Sequence, residues 1–474
     1  MLISYFLKRW LHSYAALQKN LVALIIVLEA LFRKKIGSAE FIRIPFRKNY
    51  QGSRINLKLI LSYRDKRFYR NKRTIAMINF AENEVLKWRI DPPEILESTK
   101  CFFKHIIKYK AAYFDISSFF FGIKKEHSTH MSPDTNYLCT VCGYYTHMVD
   151  VKNLNQYIFP ENYLEIPMLY CETGCFSKDG YSWFTVRWPL ENTIDIIDGK
   201  RKTTTCQILK VNLMKRDYEI LGSMEYSDFI HQIACSPDGE YLVIASFKQD
   251  LYIDYPKHSI YKDPEGYRRS HEKGIKPESI VTFEIKTGNY WFTDIPTPAP
   301  AHPEFDIDNP RIFYISAHNM KLYQSTLFLE GNGAIYKLEI EDGKTQIKGH
   351  YTNHDFYRIT QPDVFKFCGK TYIAVTNTPD KLDIIDSADM SLVKSVLLIN
   401  TPQLDFSVNG SAIAPESPDI FYSANATDDG RFVVLGSGRG FLAYDMQNGS
   451  LIDLSEYLPE FTSLGLGHPK SLGR

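Results

Sequence analysis

The 474-residue sequence predicts an all-β fold, a seven-bladed β-propeller preceded by one N-terminal α-helix. Three observations carry this reading. A block of short β-branched and aromatic strands, separated by turns of Asp, Gly and Pro, is visible in six copies after residue 127. The turn marks of those copies, Thr135, Gly180, Gly239, Pro310, Gly369 and Gly430, lie 45 to 71 residues apart, the length of a four-stranded unit with loop insertions. Before the repeats, the first 36 residues hold neither Pro nor Gly and are rich in Leu, Ala and Lys, which reads as helix.

The helical segment contains one uninterrupted apolar run, Leu21 to Leu28, closed by Glu29 and the basic cluster Arg33, Lys34 and Lys35. That run is short of the roughly 20 apolar residues that cross a bilayer. No small-x-small cleavage site follows it, which speaks against a signal peptide. A helix packed on the body or on a partner, a membrane-surface helix and a signal anchor all stay open.

The repeats then follow in order. The clearest copy is the IACSPDGEYLVIAS stretch from Ile233 to Ser246, a strand, a Ser-Pro-Asp-Gly turn and a second strand. Third and fourth strands recur as well, in SIVTFEIKTGNYWFTDI, AIYKLEIEDGKTQIKGH and GFLAYDMQNGSLIDL. Setting aside the helix leaves 438 residues, about seven units at ~60 residues each. Residues 40–95 supply a degenerate first blade, 100–125 an unplaced insertion, 127–455 the regular blades and 456–474 a tail.

Composition narrows the function classes. With 44% hydrophobic and 23% charged residues, the chain is neither disordered nor collagenous. The net charge of +1 hides a split: residues 1–110 carry 23 Lys+Arg and 8 Asp+Glu, leaving 33 and 47 for the rest. A uniformly basic nucleic-acid binder is excluded, and nucleic acid is not an expected partner. The basic flank instead offers a surface for anionic lipid or a protein partner. Eight Cys without a dense framework fit a reducing compartment, so a cytoplasmic location is expected, peripheral to a membrane if the flank docks there.

In a propeller the first strand of each blade lines the central channel, so residues scattered along the chain converge near the axis. Counting eight residues back from each turn mark gives His127, Glu172, His231, His302, Gln361 and Tyr422. Three His with a carboxylate and an amide oxygen form a competent set for a divalent transition metal, Fe2+ or Mn2+. Hydrogen bonding within blades and a metal-free polar pocket are the competing explanations. In the metal-free case His231 or His302 is the general base, with Arg358 or Tyr422 as electrophile or acid. His318, Arg187 and Trp188, read as strand ends on the rim, are candidate substrate contacts. Cys139 and Cys142 fall within one strand, where residues three apart face opposite ways, which favours buried thiols over a zinc site with Cys171 and Cys175.

The Ser-Pro-Asp-Gly turn followed by an alternating strand resembles the blades of WD-repeat and YVTN-type propellers, over roughly residues 127 to 455, without the Gly-His and Trp-Asp signatures of WD repeats. Two stretches, AHPEFDIDNPRIFYISAHN and NHDFYRITQPDVF, resemble segments of carotenoid-cleavage oxygenases, propellers that hold iron through axial histidines. That resemblance implies His302 and His354 as ligands, while Tyr422 stands where a further ligand His would be. Oligogalacturonate lyases, propellers with a His- and Gln-lined metal site, are similar in the mixed His/Gln ring. The expected function is a metal-dependent oxygenase or lyase on a small organic substrate, with a non-enzymatic scaffold and a metal-free enzyme as alternatives. No GxSxG, HExxH, GxGxxG or Walker A string occurs.

Overall fold

The structure is a computed structural model. It describes residues 40–45, 58–65, 73–79, 84–90, 129–133, 136–142, 145–150, 155–159, 168–169, 174–189, 205–225, 229–247, 280–297, 299–323, 326–353, 361–377, 381–398, 421–427, 429–437, 441–454, 463–464 and 470–471. The predicted N-terminal helix, the insertion at 100–125, and His127, Glu172, His354 and Arg358 lie outside them. Among the described residues no helix is long and apolar enough to cross a membrane.

The described part is all-β, as predicted, and its strands form seven antiparallel sheets. The second sheet holds Thr129–Met131, Tyr137–Cys142, Tyr145–Asp150 and Asn155–Phe159. Gly174–Phe176, Ser182–Pro189, Thr205–Asn212 and Asp217–Glu225 build the third, with Met168–Leu169 on its second strand. Phe229–Cys235, Tyr241–Phe247, Ile280–Glu284 and Tyr290–Thr293 form the fourth. The fifth comprises Ala299–Phe305, Ile312–Tyr323, Thr326–Glu341 and Lys344–Thr352. Asp363–Phe367, Lys370–Asn377, Lys381–Asp386 and Leu392–Leu397 make the sixth, and Phe421–Ala426, Phe432–Ser437, Phe441–Asp445 and Ser450–Asp453 the seventh.

In each of these six sheets strands pair in chain order, a meander. The first sheet differs. Its order is Glu40–Pro45, Glu84–Ile90, Arg73–Asn79, Lys58–Asp65, and the last of these pairs with C-terminal Ser463–Leu464 and Lys470–Ser471. The first strand of each sheet from the second to the seventh meets its counterpart in the next, and Phe421–Ala426 also meets Lys470–Ser471. These are the inner strands of a propeller-type fold.

In the third to sixth sheets the middle strands are apolar on both faces because a neighbouring sheet covers each side. Tyr241, Leu242, Val243, Ile244 and Ala245 are all buried; Ile244 packs with Phe184 and Val186 of the third sheet, while Val243 and Ala245 pack with Phe313 and Ile315 of the fifth. Similar cores join the second to the third sheet through Cys139 and Trp183, the fifth to the sixth through Tyr314 and Val375, and the sixth to the seventh through Phe365 and Val433. Cys139 is thus a core residue, and burial pushes its thiol pKa well up. The tail at 456–474 was not expected to complete the first sheet, and no local pattern announces pairing across about 400 residues.

The repeated turn explains itself chemically. Ser236 N–H donates to Tyr241 O (2.9 Å), its hydroxyl donates to Asp238 Oδ1 (2.6 Å), and Tyr241 N–H donates back to Ser236 Oγ (2.9 Å). Ser177 with Asp179 and Thr427 with Asp429 repeat the device. Gly180, Gly239 and Gly430 follow with φ of +75°, +73° and +66°, a region that glycine enters without a Cβ penalty. These turns satisfy their own polar groups, and they close one end of every sheet that carries them.

Candidate functional site

The opposite end carries the polar side chains. It is formed by the starts of the inner strands and the joins between second and third strands. The inner strands of the fourth, fifth and seventh sheets each contain a bulge there, which leaves His231, Ala301 and Tyr422 without a ladder partner. His302 therefore does not share a level with His231, as counting from the turns implied. The turn after Asp306 closes with Asp306 N–H on Ile312 O, one residue longer than the Ser236 to Tyr241 turn, so the count from Pro310 lands one residue late. His302 instead matches Gln232 and Ser423, which pair just after their bulges.

Gln361 joins the same level. Ser387 N–H donates to Thr371 O as Ile285 N–H does to Glu240 O, which aligns Ala374 with Val243 and their partners Asp363 with Ala234. The candidate ring thus separates into two levels. His231 and Tyr422 occupy the bulge level, and Gln232, His302, Gln361 and Ser423 the next. Among the described residues no group of three or more His, Cys, Asp or Glu side chains is placed to hold a metal ion.

Neighbouring sheets exchange hydrogen bonds at this second level and just beyond it, toward the turns. His302 Nδ1 pairs with Gln232 Oε1, and because the amide oxygen accepts, Nδ1–H donates. Gln361 Nε2 donates to Glu304 Oε2 at 3.3 Å. Ala426 N–H donates to Asp363 Oδ2 at 2.5 Å. Each of the fourth, fifth and sixth sheets is thereby tied to the next by a polar side chain.

The face of the fifth sheet that carries His302 continues inward. His302 stands opposite Ser316 and Glu304 opposite Tyr314, and directly paired residues share a face. Tyr314 packs with Ile373 and Val375, so this face meets the sixth sheet. Across the gap, Val375 stands opposite Asp383 and Asn377 opposite Lys381, placing Asn377 and Asp383 on the facing surface. His302 and Glu304 are half-buried, whereas Ser316, Asn377 and Asp383 are at most 1% exposed.

Burial raises the Asp383 carboxyl pKa, partly offset by hydrogen bonds from Ser395 and Asn353, the charge of Lys381 and a bond with Tyr351. Asn353 Nδ2 reaches Asp383 Oδ2 at 3.5 Å and the Tyr351 hydroxyl at 3.4 Å, both long. Burial, with the Asp383 carboxylate next, pushes the Tyr351 phenol to about 12. Ser316 Oγ, both amide atoms of Asn377 and Asp383 Oδ1 have no hydrogen-bond partner among the described residues.

His318 corrects its sequence reading: it lies within Ile312–Tyr323 rather than at a rim and is 5% exposed. Arg187 and Trp188 lie near the end of Ser182–Pro189, where Arg187 pairs with Gln207 and Trp188 with Leu169. Gln232, Glu304, Ser316, Asn377 and Asp383 were missed. Their signal was available: each is a polar residue inside or at the end of an otherwise apolar strand, as in LDIID and YIAVTN.

No family model and no curated protein sequence matches the chain. Solved structures align with it over most of its length. A candidate 6-phosphogluconolactonase from Bacteroides fragilis aligns with a TM-score of 0.49 and 11% identity, covering 89% of this chain and 100% of that one. The periplasmic gluconolactonase of Pseudomonas aeruginosa aligns with a TM-score of 0.46 and 13% identity, covering 87% and 97%. Neither is a carotenoid-cleavage oxygenase or an oligogalacturonate lyase.

Proposed function

We propose that this protein is a closed seven-bladed propeller enzyme that performs general acid–base chemistry on a small polar substrate, with His302 as the reacting base. Ring closure is supported by the C-terminal segment, which pairs with the first sheet and meets the inner strand of the seventh. The observation that carries the chemistry is the Gln232–His302 hydrogen bond. It holds the proton on Nδ1, so the neutral imidazole presents its lone pair at Nε2, and it fixes the ring plane. A half-buried imidazole in a fixed orientation is the arrangement that general-base catalysis needs.

Glu304 complements it. Two residues along the strand place it about 7 Å from His302 on the same face. Gln361 orients its carboxylate. As His302 accepts a proton from a substrate hydroxyl or from water, the Glu304 carboxylate stands on the strand face where the positive charge develops. Gln232, being neutral, positions the ring without taking part in charge transfer.

The test is a screen of the purified chain against small esters, lactones and hydroxy acids, followed by His302→Ala on any turnover found. The expected loss in kcat is about 10²-fold or more. Unchanged turnover in His302→Ala would overturn the assignment. A second reading, an interaction scaffold, draws on the outer strand Leu392–Leu397, where Leu392, Val393 and Leu397 are 43%, 52% and 52% exposed. Replacing those three by Ser abolishes partner capture under the scaffold reading and leaves turnover intact under the enzymatic one.

A further inference from the structure

Among the described residues, four polar atoms without a hydrogen-bond partner lie between the fifth and sixth sheets, and they point beyond a reacting base to what that base acts on. Buried side-chain polar atoms in folded proteins are paired in the large majority of cases, and each unpaired one costs about 1–3 kcal/mol. Here Ser316 Oγ, Asn377 Oδ1 and Nδ2 and Asp383 Oδ1 front one interface. Ser316 stands directly opposite half-buried His302, so this set of polar atoms, the proposed niche, begins beside the proposed reacting base.

The chemistry of these atoms selects their partner. Asn377 Nδ2 can only donate, while Asn377 Oδ1 and an ionised Asp383 Oδ1 can only accept; Ser316 Oγ does both. A carbonyl, carboxylate or phosphate accepts alone and leaves Asn377 Oδ1 and Asp383 Oδ1 unpaired. An ammonium group or metal ion leaves Asn377 Nδ2 unpaired. A hydroxyl both donates and accepts. Asn377 and Asp383 are diagonal neighbours across the sixth sheet, a separation of about 7–8 Å that two adjacent hydroxyls on one carbon chain span better than one.

We infer that Ser316, Asn377 and Asp383 form a hydroxyl-recognising subsite and that the substrate class is a polyhydroxylated small molecule. The inference rests on the acid–base reading only for placing the reacting carbon beside His302; binding in the niche stands apart from it. Asp383 and Asn377 are specificity residues, binding the hydroxyls adjacent to the carbon that reacts. Lys381, half-buried opposite Asn377, lies on the same face at the strand join.

Saturation-transfer NMR on the full chain tests it, with xylitol as the probe and acetate and ammonium as acceptor-only and donor-only controls, alongside crystals of the wild-type protein soaked in xylitol. Xylitol is expected to bind, the controls not, and Asn377→Ala or Asp383→Ala to weaken xylitol by about 10-fold each, the loss of one hydrogen bond. Electron density for the polyol is expected between Ser316 and Asn377. Niche density from ordered water alone, or equal xylitol affinity in wild type and both variants, overturns the inference. The soaked wild-type crystal reads out binding even where a variant fails to fold. Polyol in the niche with turnover unaffected by His302→Ala removes the acid–base reading alone; turnover lost in His302→Ala with water alone in the niche removes the subsite alone.

Discussion

His302 and Gln232 occupy the same register position in the inner strands of neighbouring sheets, and their side chains hydrogen-bond to each other across the gap. Gln232 is 4% exposed, so this bond is shielded on the Gln side and half-shielded on the other. Gln232→Leu removes the acceptor that holds the Nδ1 proton. The expected result is a loss of about 1–3 kcal/mol of stability in urea unfolding. Turnover should fall mainly in kcat, while Gln232→Asn or Gln232→Glu, which restore an acceptor, should recover part of it. A KM change without a kcat change would show that Gln232 binds substrate and does not position His302.

The pH dependence of stability follows from Asp383. Its folded pKa is raised by burial, whereas the unfolded chain titrates near 3.9. Below that value the carboxyl is protonated in both states and contributes no pH dependence. As pH rises from about 4 to the raised folded value, the unfolded chain ionises first, and stability falls until the folded carboxyl also ionises. Asp383→Asn removes this loss, so the variant gains on the wild type as pH rises above about 4. Urea unfolding at four pH values measures the difference; a gap that stays constant or closes with rising pH would refute the assignment.

The fold was legible because its repeat is local. The Ser/Thr-x-Asp-Gly-type turns at Ser177, Ser236 and Thr427 write their hydrogen bonds into six consecutive residues, and the strands that follow are apolar on both faces. The site was only half legible. His302 and Gln361 were found by counting from the turns, but the extra residue after Asp306 and the bulges at His231 and Tyr422 shift the count in ways that no residue type marks. Gln232, Asn377 and Asp383 acquire meaning only when two sheets are brought face to face, a contact between positions 70 residues apart for Gln232 and His302.

Two turn glycines with the same backbone angle separate conformational strain from steric exclusion. At Gly239, φ +73°, an added Cβ meets nothing within 4 Å. At Gly430, φ +66°, it collides with the Lys366 carbonyl oxygen and approaches Phe365 Cδ2 at 3.1 Å. Gly239→Ala is therefore expected to cost about 1–2 kcal/mol, the left-handed penalty alone. Gly430→Ala must also push the sixth and seventh sheets apart and should cost more, by a further ~1–3 kcal/mol typical of overpacking. Equal losses in thermal unfolding would mean that Lys366 yields without cost.

Metal content decides between the two enzymatic chemistries. Gln232 occupies His302 Nδ1, so a metal at this imidazole has Nε2 as its only ligand atom. The acid–base mechanism uses that same Nε2 for a proton, and a lone pair cannot serve both at once. Elemental analysis of the purified full chain, with turnover measured before and after dialysis against EDTA, reads the difference. The expected outcome is substoichiometric iron and manganese, turnover that survives the chelator, and a kcat reduced about 10²-fold or more in His302→Ala at unchanged metal content. Stoichiometric iron or manganese that is lost in His302→Ala together with activity would assign Nε2 to a metal and remove His302 as a base.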